Sequence, residues 1–162
     1  MEIVRIKDSE FEEVSSMIER TIRTCFIYYY PKNDIEKIVQ SLNPAVIKKR
    51  ASWTHFYVIK EENKIVGCGA IGPYWDSLTE SCLFTIFVDP DYQGKGCGRK
   101  IIETLEQDEY FKRAKRIEIP ASLFAIPFYR KMGYEYKNDK MVFDDGHFAL
   151  EKFNPNYVEK TI

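Results

Sequence analysis

The sequence is poor in the features that would make several function classes readable. Of 162 residues only two are His and four are Cys, and no two cysteines stand in a CxxC spacing. Cys25, Cys68, Cys82 and Cys97 also have no His nearby, so a zinc site is not expected. They lie in apolar or Gly-rich surroundings and read as reduced, buried thiols of a cytoplasmic protein. An excess of charge of one sign is missing too. The 24 Lys and Arg against 25 Asp and Glu give a net charge of −1, which argues against a dominant partnership with nucleic acid. Long hydrophobic runs are absent: the start, MEIVRIKDSEF, holds no signal-like apolar segment, and the run 82–88 is far too short to span a bilayer. A cytoplasmic chain with no membrane partner is expected.

What is present is enough for a core. Hydrophobic residues make up 44% and charged residues 30%, which excludes a disordered chain. No internal repeat, linker or low-complexity tract interrupts residues 1–162, so one domain is expected, with the last nine residues free to fray.

Residues 2–7 read as a strand, after which Asp8 or Ser9 can cap a helix carrying Phe11, Val14, Ile18, Ile22 and Cys25 on one face. A second helix follows Tyr28–Asp34 and ends at Asn43-Pro44, and 45–52 is ambiguous. Strands are predicted at 54–61, 64–72 and 80–88, then a helix over 96–107, a strand over 116–122 and a helix over 123–132 closed by Gly133. Two last strands fall near 134–137 and 147–153. Short connections imply antiparallel pairs, and the strand–helix–strand unit over 80–122 implies one parallel pair. The sum is an α/β fold: a mixed, mostly antiparallel central sheet with helices on both faces.

The stretch 91-DYQGKGCGRK-100 places three glycines and three cations directly after an apolar strand. It is not a nucleotide P-loop, because no GxxxxGK followed by Ser or Thr can be registered on it. The dinucleotide fingerprint GxGxxG fails as well, since counting from Gly94 puts Arg99 at the third glycine. What remains is Q-x-x-G-x-G between a strand and a helix. Such a loop can turn successive N–H groups into one concavity, aided by the dipole of the following helix and by Lys95 and Arg99, to hold a pyrophosphate without a metal. The plainer reading is a Gly-rich turn with solvated cations.

The run 86–105 resembles motif A of the GCN5-related N-acetyltransferases, whose signature is Q/R-x-x-G-x-G/A. A second segment, 121-ASLFAIPFYRKMGYE-135, is similar to that family's A-x-x-F-Y-x-x-x-G-F/Y pattern at Ala125, Phe128, Tyr129, Gly133 and Tyr134. The resemblance implies the acyl-CoA N-acyltransferase fold, in which the parallel strand pair splays apart. It implies acetyl-CoA as cosubstrate and no metal. Backbone groups of Ile86, Phe87 and Val88 would meet the pantetheine arm, and Gln93, Gly94, Lys95, Gly96, Cys97, Gly98 and Arg99 would hold the pyrophosphate. Ser122 and Phe128 would complete the cofactor contacts, and a backbone N–H near Phe87 or Val88 would face the thioester oxygen.

By the same resemblance Tyr129 is the general acid for the leaving thiolate; phenols titrate near ~10 and thiols near ~8.5. Apart from the family pattern it reads as a packed helix aromatic. The base is harder to place. Family members often carry a carboxylate on the motif-A strand where this chain has Cys82, so Glu80, earlier on the same face, and His147 are the candidates. Glu80 also reads as a solvated strand-end carboxylate, and His147 as a surface residue. The acceptor would meet Tyr28, Tyr29 and Tyr30 from one loop and Tyr74 and Trp75 from another, although the three tyrosines equally suit a hydrophobic plug. This composition suits a small-molecule or peptide amine. A non-catalytic acetyl-CoA sensor or regulatory module is the alternative, and a homodimer through the C-terminal strands is compatible with the pattern.

Overall fold

A computed structural model describes residues 1–144 and 146–159. The described residues form eight strands and six α-helices, with β1 at Glu2–Arg5, α1 at Phe11–Cys25, α2 at Lys32–Gln40 and α3 at Pro44–Trp53. The three strands β2 (His55–Glu61), β3 (Lys64–Pro73) and β4 (Glu80–Val88) follow, then α4 (Cys97–Glu106), α5 (Glu109–Lys112), β5 (Arg116–Ala121) and α6 (Ile126–Lys131). The short β6 (Glu135–Tyr136) and β7 (Phe143–Asp144) precede β8 (His147–Phe153). The sheet order is β1-β2-β3-β4-β5-β8-β6, with β7 pairing β8. This is the mixed α/β sheet expected from the sequence. Its parallel pair is β4 with β5, and β1–β2, β5–β8, β6–β8 and β7–β8 are antiparallel.

The chain divides into two compact units. The first holds Met1–Ala70 and Thr85–Ile102. In α1 the buried face is Val14, Met17, Ile18, Thr21, Ile22 and Cys25, a helical repeat that packs against α2 and α3. Neither Asp8 nor Ser9 caps this helix. A 3-10 turn over Asp8–Glu10 precedes it, and the Glu10 carboxylate accepts from the Lys7 backbone N–H at 2.8 Å. The ambiguous stretch after residue 43 is α3: Asn43 is its N-cap, accepting from the Val46 N–H, and Pro44 takes the first turn, where its missing N–H costs nothing. The β2–β3 hairpin turns on Glu62 and Asn63, both with positive φ, the geometry that matches strand twist. Gly67 of β3 sits in a close approach: a Cβ there would lie 3.3 Å from both Ile101 Cδ1 and the Phe87 carbonyl oxygen, so a neighbour would have to give by a few tenths of an ångström.

The second unit comprises Ile71–Phe84 and the described chain from Glu103 onward. Its parallel ladder runs from Glu80↔Arg116 to Cys82↔Glu118 and stops there. The β5 strand continues against β8 as far as Ala121↔Phe148. Its buried side chains include Ile71, Leu83, Leu105, Ile117, Tyr134 and Leu150. Asn154 fastens the chain after β8 by donating to the carbonyls of Phe111 and Ala114, and the end of the expected frayed tail, 160–162, lies outside the described residues. All four cysteines are buried and free of disulfides. Among the described residues no helix is long and apolar enough to cross a membrane.

Candidate functional site

In the first unit, β4 delivers the chain into the glycine loop through a tightly braced turn. Asp89 caps a 3-10 turn over Pro90–Tyr92, accepting from the Asp91 N–H at 2.9 Å. The same carboxylate accepts from Arg20 Nη1 at 2.6 Å, and Arg20 Nη2 donates to Asp91 at 2.8 Å. Burial pushes the Asp89 carboxyl up, but the Arg20 hydrogen bond, the Asp91 N–H and the charges of Arg20 and Lys64 outweigh it and hold it below its ordinary value. Gln93 Nε2 then donates to the Val88 carbonyl at 3.0 Å and to Cys25 Sγ at 3.4 Å, tying the loop to the strand end. The Val88 carbonyl thus accepts a hydrogen bond from within the protein.

Beyond Gln93 the backbone opens. Gly94 and Gly96 have φ of +76° and +85°, and a Cβ on either would meet no atom within 4 Å. The backbone conformation, rather than crowding, requires glycine at both. Gly94, Lys95, Gly96 and Arg99 are exposed, and α4 begins at Cys97. The Lys95 ammonium sits 5.1 Å from the centre of the Tyr92 ring. Open glycines, exposed cations and a ten-residue helix beginning at its rim fit a pyrophosphate. Cys97 faces the other way: it is buried, its thiol lies 3.5 Å from Met1 Sδ, and burial followed by the Glu61 charge pushes it up.

In the second unit, α6 carries Tyr129, which is 4% exposed and packs its ring 5.6 Å from that of Phe128. The helix is stopped by Gly133 (φ +96°), and the next residue, Tyr134, returns its N–H to the Tyr129 carbonyl at 3.0 Å. The Tyr134 hydroxyl donates to Glu106 at 2.8 Å, and Lys152 Nζ donates to the same carboxylate at 2.9 Å and to the Met132 carbonyl at 3.1 Å. Burial first, and then the Glu106 charge, push the Tyr134 phenol far up, so it stays a donor. Of the two tyrosines in the segment, Tyr134 is a fixed structural group that secures the end of the helix bearing Tyr129.

A family model for the acetyltransferase (GNAT) domain matches residues 52–136, just over half of the chain. The chain belongs to the GNAT acetyltransferase family. The matched span contains both the glycine loop and Tyr129. A stretch of 76 residues is 26% identical to GCN5-related N-acetyltransferase 2, chloroplastic, of Arabidopsis thaliana; it covers 47% of this chain but only 29% of that protein. The PaiA N-acetyltransferase of Thermoplasma acidophilum, solved with coenzyme A, superposes with a TM-score of 0.78 at 15% identity, over 94% of this chain and 98% of that one. A GNAT acetyltransferase of Elizabethkingia anophelis with acetyl-CoA bound gives 0.54 at 17% identity, over 68% and 82%. At such identities the likeness establishes the fold.

The other residues expected from the GNAT pattern divide by environment. Glu80 accepts from Arg116 Nε at 2.7 Å, and Arg116, only 8% exposed, also holds Glu118 and Glu151 at 3.0 Å each. This carboxylate is engaged by a guanidinium through Oε1 and is 27% exposed. His147 opens β8, half-buried, opposite Asp144 in the ladder. Tyr30 is 8% exposed and stacks on Phe26 at 5.5 Å, as a plug would, whereas Tyr28 is 81% exposed. Tyr74 lies under Arg116 and Lys137, and the neighbouring Trp75 is 83% exposed. Sequence reasoning missed Arg20, which is 69 residues from Asp89, although Asp89-Pro90 does carry the signature of a capped turn. It also missed the contact of Arg50 with Thr85.

Proposed function

We propose that the protein transfers the acetyl group of acetyl-CoA to a primary amine of a small molecule or peptide. The observation that carries this reading is the glycine loop, whose open backbone, exposed Lys95 and Arg99 and following helix suit the CoA pyrophosphate. Acetyl-CoA supplies an activated thioester. The amine nitrogen forms the new bond to the carbonyl carbon, the carbon–sulfur bond breaks, and the Tyr129 hydroxyl gives its proton to the departing thiolate. We place the proton released by the amine on solvent or on a base other than Glu80, whose Oε1 is held by the Arg116 guanidinium.

The test is release of CoA from acetyl-CoA in the presence of a panel of amines. Turnover with one acceptor class, reduced about 100-fold in Tyr129→Phe with CoA affinity retained, supports the reading. Acetyl-CoA binding with no turnover on any amine would make the protein a sensor module instead.

A further inference from the structure

Thr85 lies inside β4 with φ of +55°, a left-handed conformation that a β-branched residue rarely adopts. A residue of this kind in a strand makes a bulge, which breaks the alternation and re-aims the peptide groups that follow. Here those groups belong to Ile86, Phe87 and Val88, directly before the braced turn at Asp89.

Two side chains from other elements hold the bulge. Arg50, in the last turn of α3, donates from Nη1 to Thr85 Oγ1 at 2.7 Å. Cys68 of β3 donates from Sγ to the Thr85 carbonyl at 3.2 Å. Burial pushes that thiol up to about 12, against a Phe87 backbone hydrogen bond, so it remains a donor at neutral pH. The backbone from which Arg50 reaches out is pinned at the helix end, since the Arg50 carbonyl accepts from both the N–H (3.1 Å) and the hydroxyl (2.7 Å) of Thr54. A strained backbone persists only where its surroundings over-determine it, and such places concentrate at functional sites.

We infer that Arg50 is a positioning residue for acetyl transfer: by holding Thr85 in its bulge, it aims the Ile86–Val88 backbone at the acyl thioester. The inference rests on the acetyl-CoA reading above. It places no atom of Arg50 on the substrate.

The experiment titrates acetyl-CoA carrying carbon-13 at the acetyl carbonyl into the wild-type chain and into Arg50→Met, Thr85→Val and Thr85→Ser. The bound carbonyl resonance, CoA affinity and turnover with the accepted amine are measured. A backbone N–H on the thioester oxygen displaces the resonance from its free value in the wild type. Arg50→Met is expected to lose that displacement and about 100-fold in kcat, while CoA affinity stays within about twofold. Thr85→Val removes the hydroxyl from the other side and should behave alike; Thr85→Ser keeps it and should restore both readouts. If Arg50→Met fails to fold, the Thr85 pair decides. A displaced resonance and unchanged kcat in Arg50→Met or Thr85→Val overturn the inference alone, as does a wild-type resonance left at its free value. No acetyl-CoA binding to the wild type overturns the parent reading and this one together.

Discussion

Arg20 Nη1 meets Asp89 Oδ1 at 2.6 Å across 69 residues of sequence, joining α1 to the turn that launches the glycine loop. This contact converts a flexible Gly-rich segment into one with a fixed entry. Replacing Asp89 by Ala leaves the Asp91 N–H and Arg20 Nη1 without their acceptor, at a cost of about 1–3 kcal/mol in folding stability. CoA affinity should also weaken by about tenfold, measured by calorimetry.

The same pair gives a pH dependence. The folded-state Asp89 carboxyl lies below its ordinary value of 3.8. Its contribution is complete above that value and is lost as pH falls through the lower, folded one. Wild type and Asp89→Asn should therefore differ most in stability at neutral pH, and their melting temperatures should converge in acid as pH falls through the lowered, folded-state value.

Gly94→Ala and Gly96→Ala each force an alanine into a left-handed backbone, costing about 1–2 kcal/mol, with no steric clash to add. The loop can relieve that strain by rotating its N–H groups out of register. Both variants should stay folded in circular dichroism while losing most CoA affinity. Gly67→Ala, crowded at 3.3 Å, should show the reverse pattern, with lower stability and little direct change at the loop.

Tyr129→Phe and Tyr134→Phe should part company. The Tyr134 hydroxyl donates to Glu106, so its removal lowers stability by about 1 kcal/mol and leaves kcat nearly unchanged. Tyr129→Phe should lower kcat by about 100-fold with CoA affinity retained.

Arg116 holds three carboxylates at 2.7–3.0 Å; Arg116→Met takes this shared partner from Glu80, Glu118 and Glu151, leaving Glu118 to Lys137 and Glu151 to the Asn138 N–H, at a cost of about 3 kcal/mol. Glu80→Gln keeps a hydrogen-bond acceptor for Arg116 and should leave kcat within about twofold. A loss of about 100-fold would instead assign Glu80 as the base.

The sequence revealed most where local rules and global packing agree. The apolar repeat of α1, the alternation in β8 and the glycine loop between β4 and α4 are all legible because each is encoded within a dozen residues. The stretch that forms α3 is ambiguous by sequence, since Asn43-Pro44 is equally good chemistry for ending one helix and for capping the next. The short α5, capped by Asp108, and the two-residue β7 carry too few residues for any period to show. Of the site, the Gln93–Arg99 loop was visible as a motif, but its bracing by Arg20 and Gln93 depends on contacts between distant elements. The bulge was hidden for another reason: threonine is among the residues least suited to φ of +55°, so propensity argues against the observed state at Thr85.

The central claim is that residues 93–99 hold the pyrophosphate of acetyl-CoA. Its most direct measurement is competition calorimetry with acetyl-CoA, ATP and NAD on the wild-type chain and on Gly96→Ala. Acetyl-CoA should bind the wild type in the micromolar range or tighter, resist displacement by ATP or NAD, and bind Gly96→Ala at least about tenfold more weakly. Displacement by ATP or NAD at low concentration, or equal affinity for Gly96→Ala, would contradict the account.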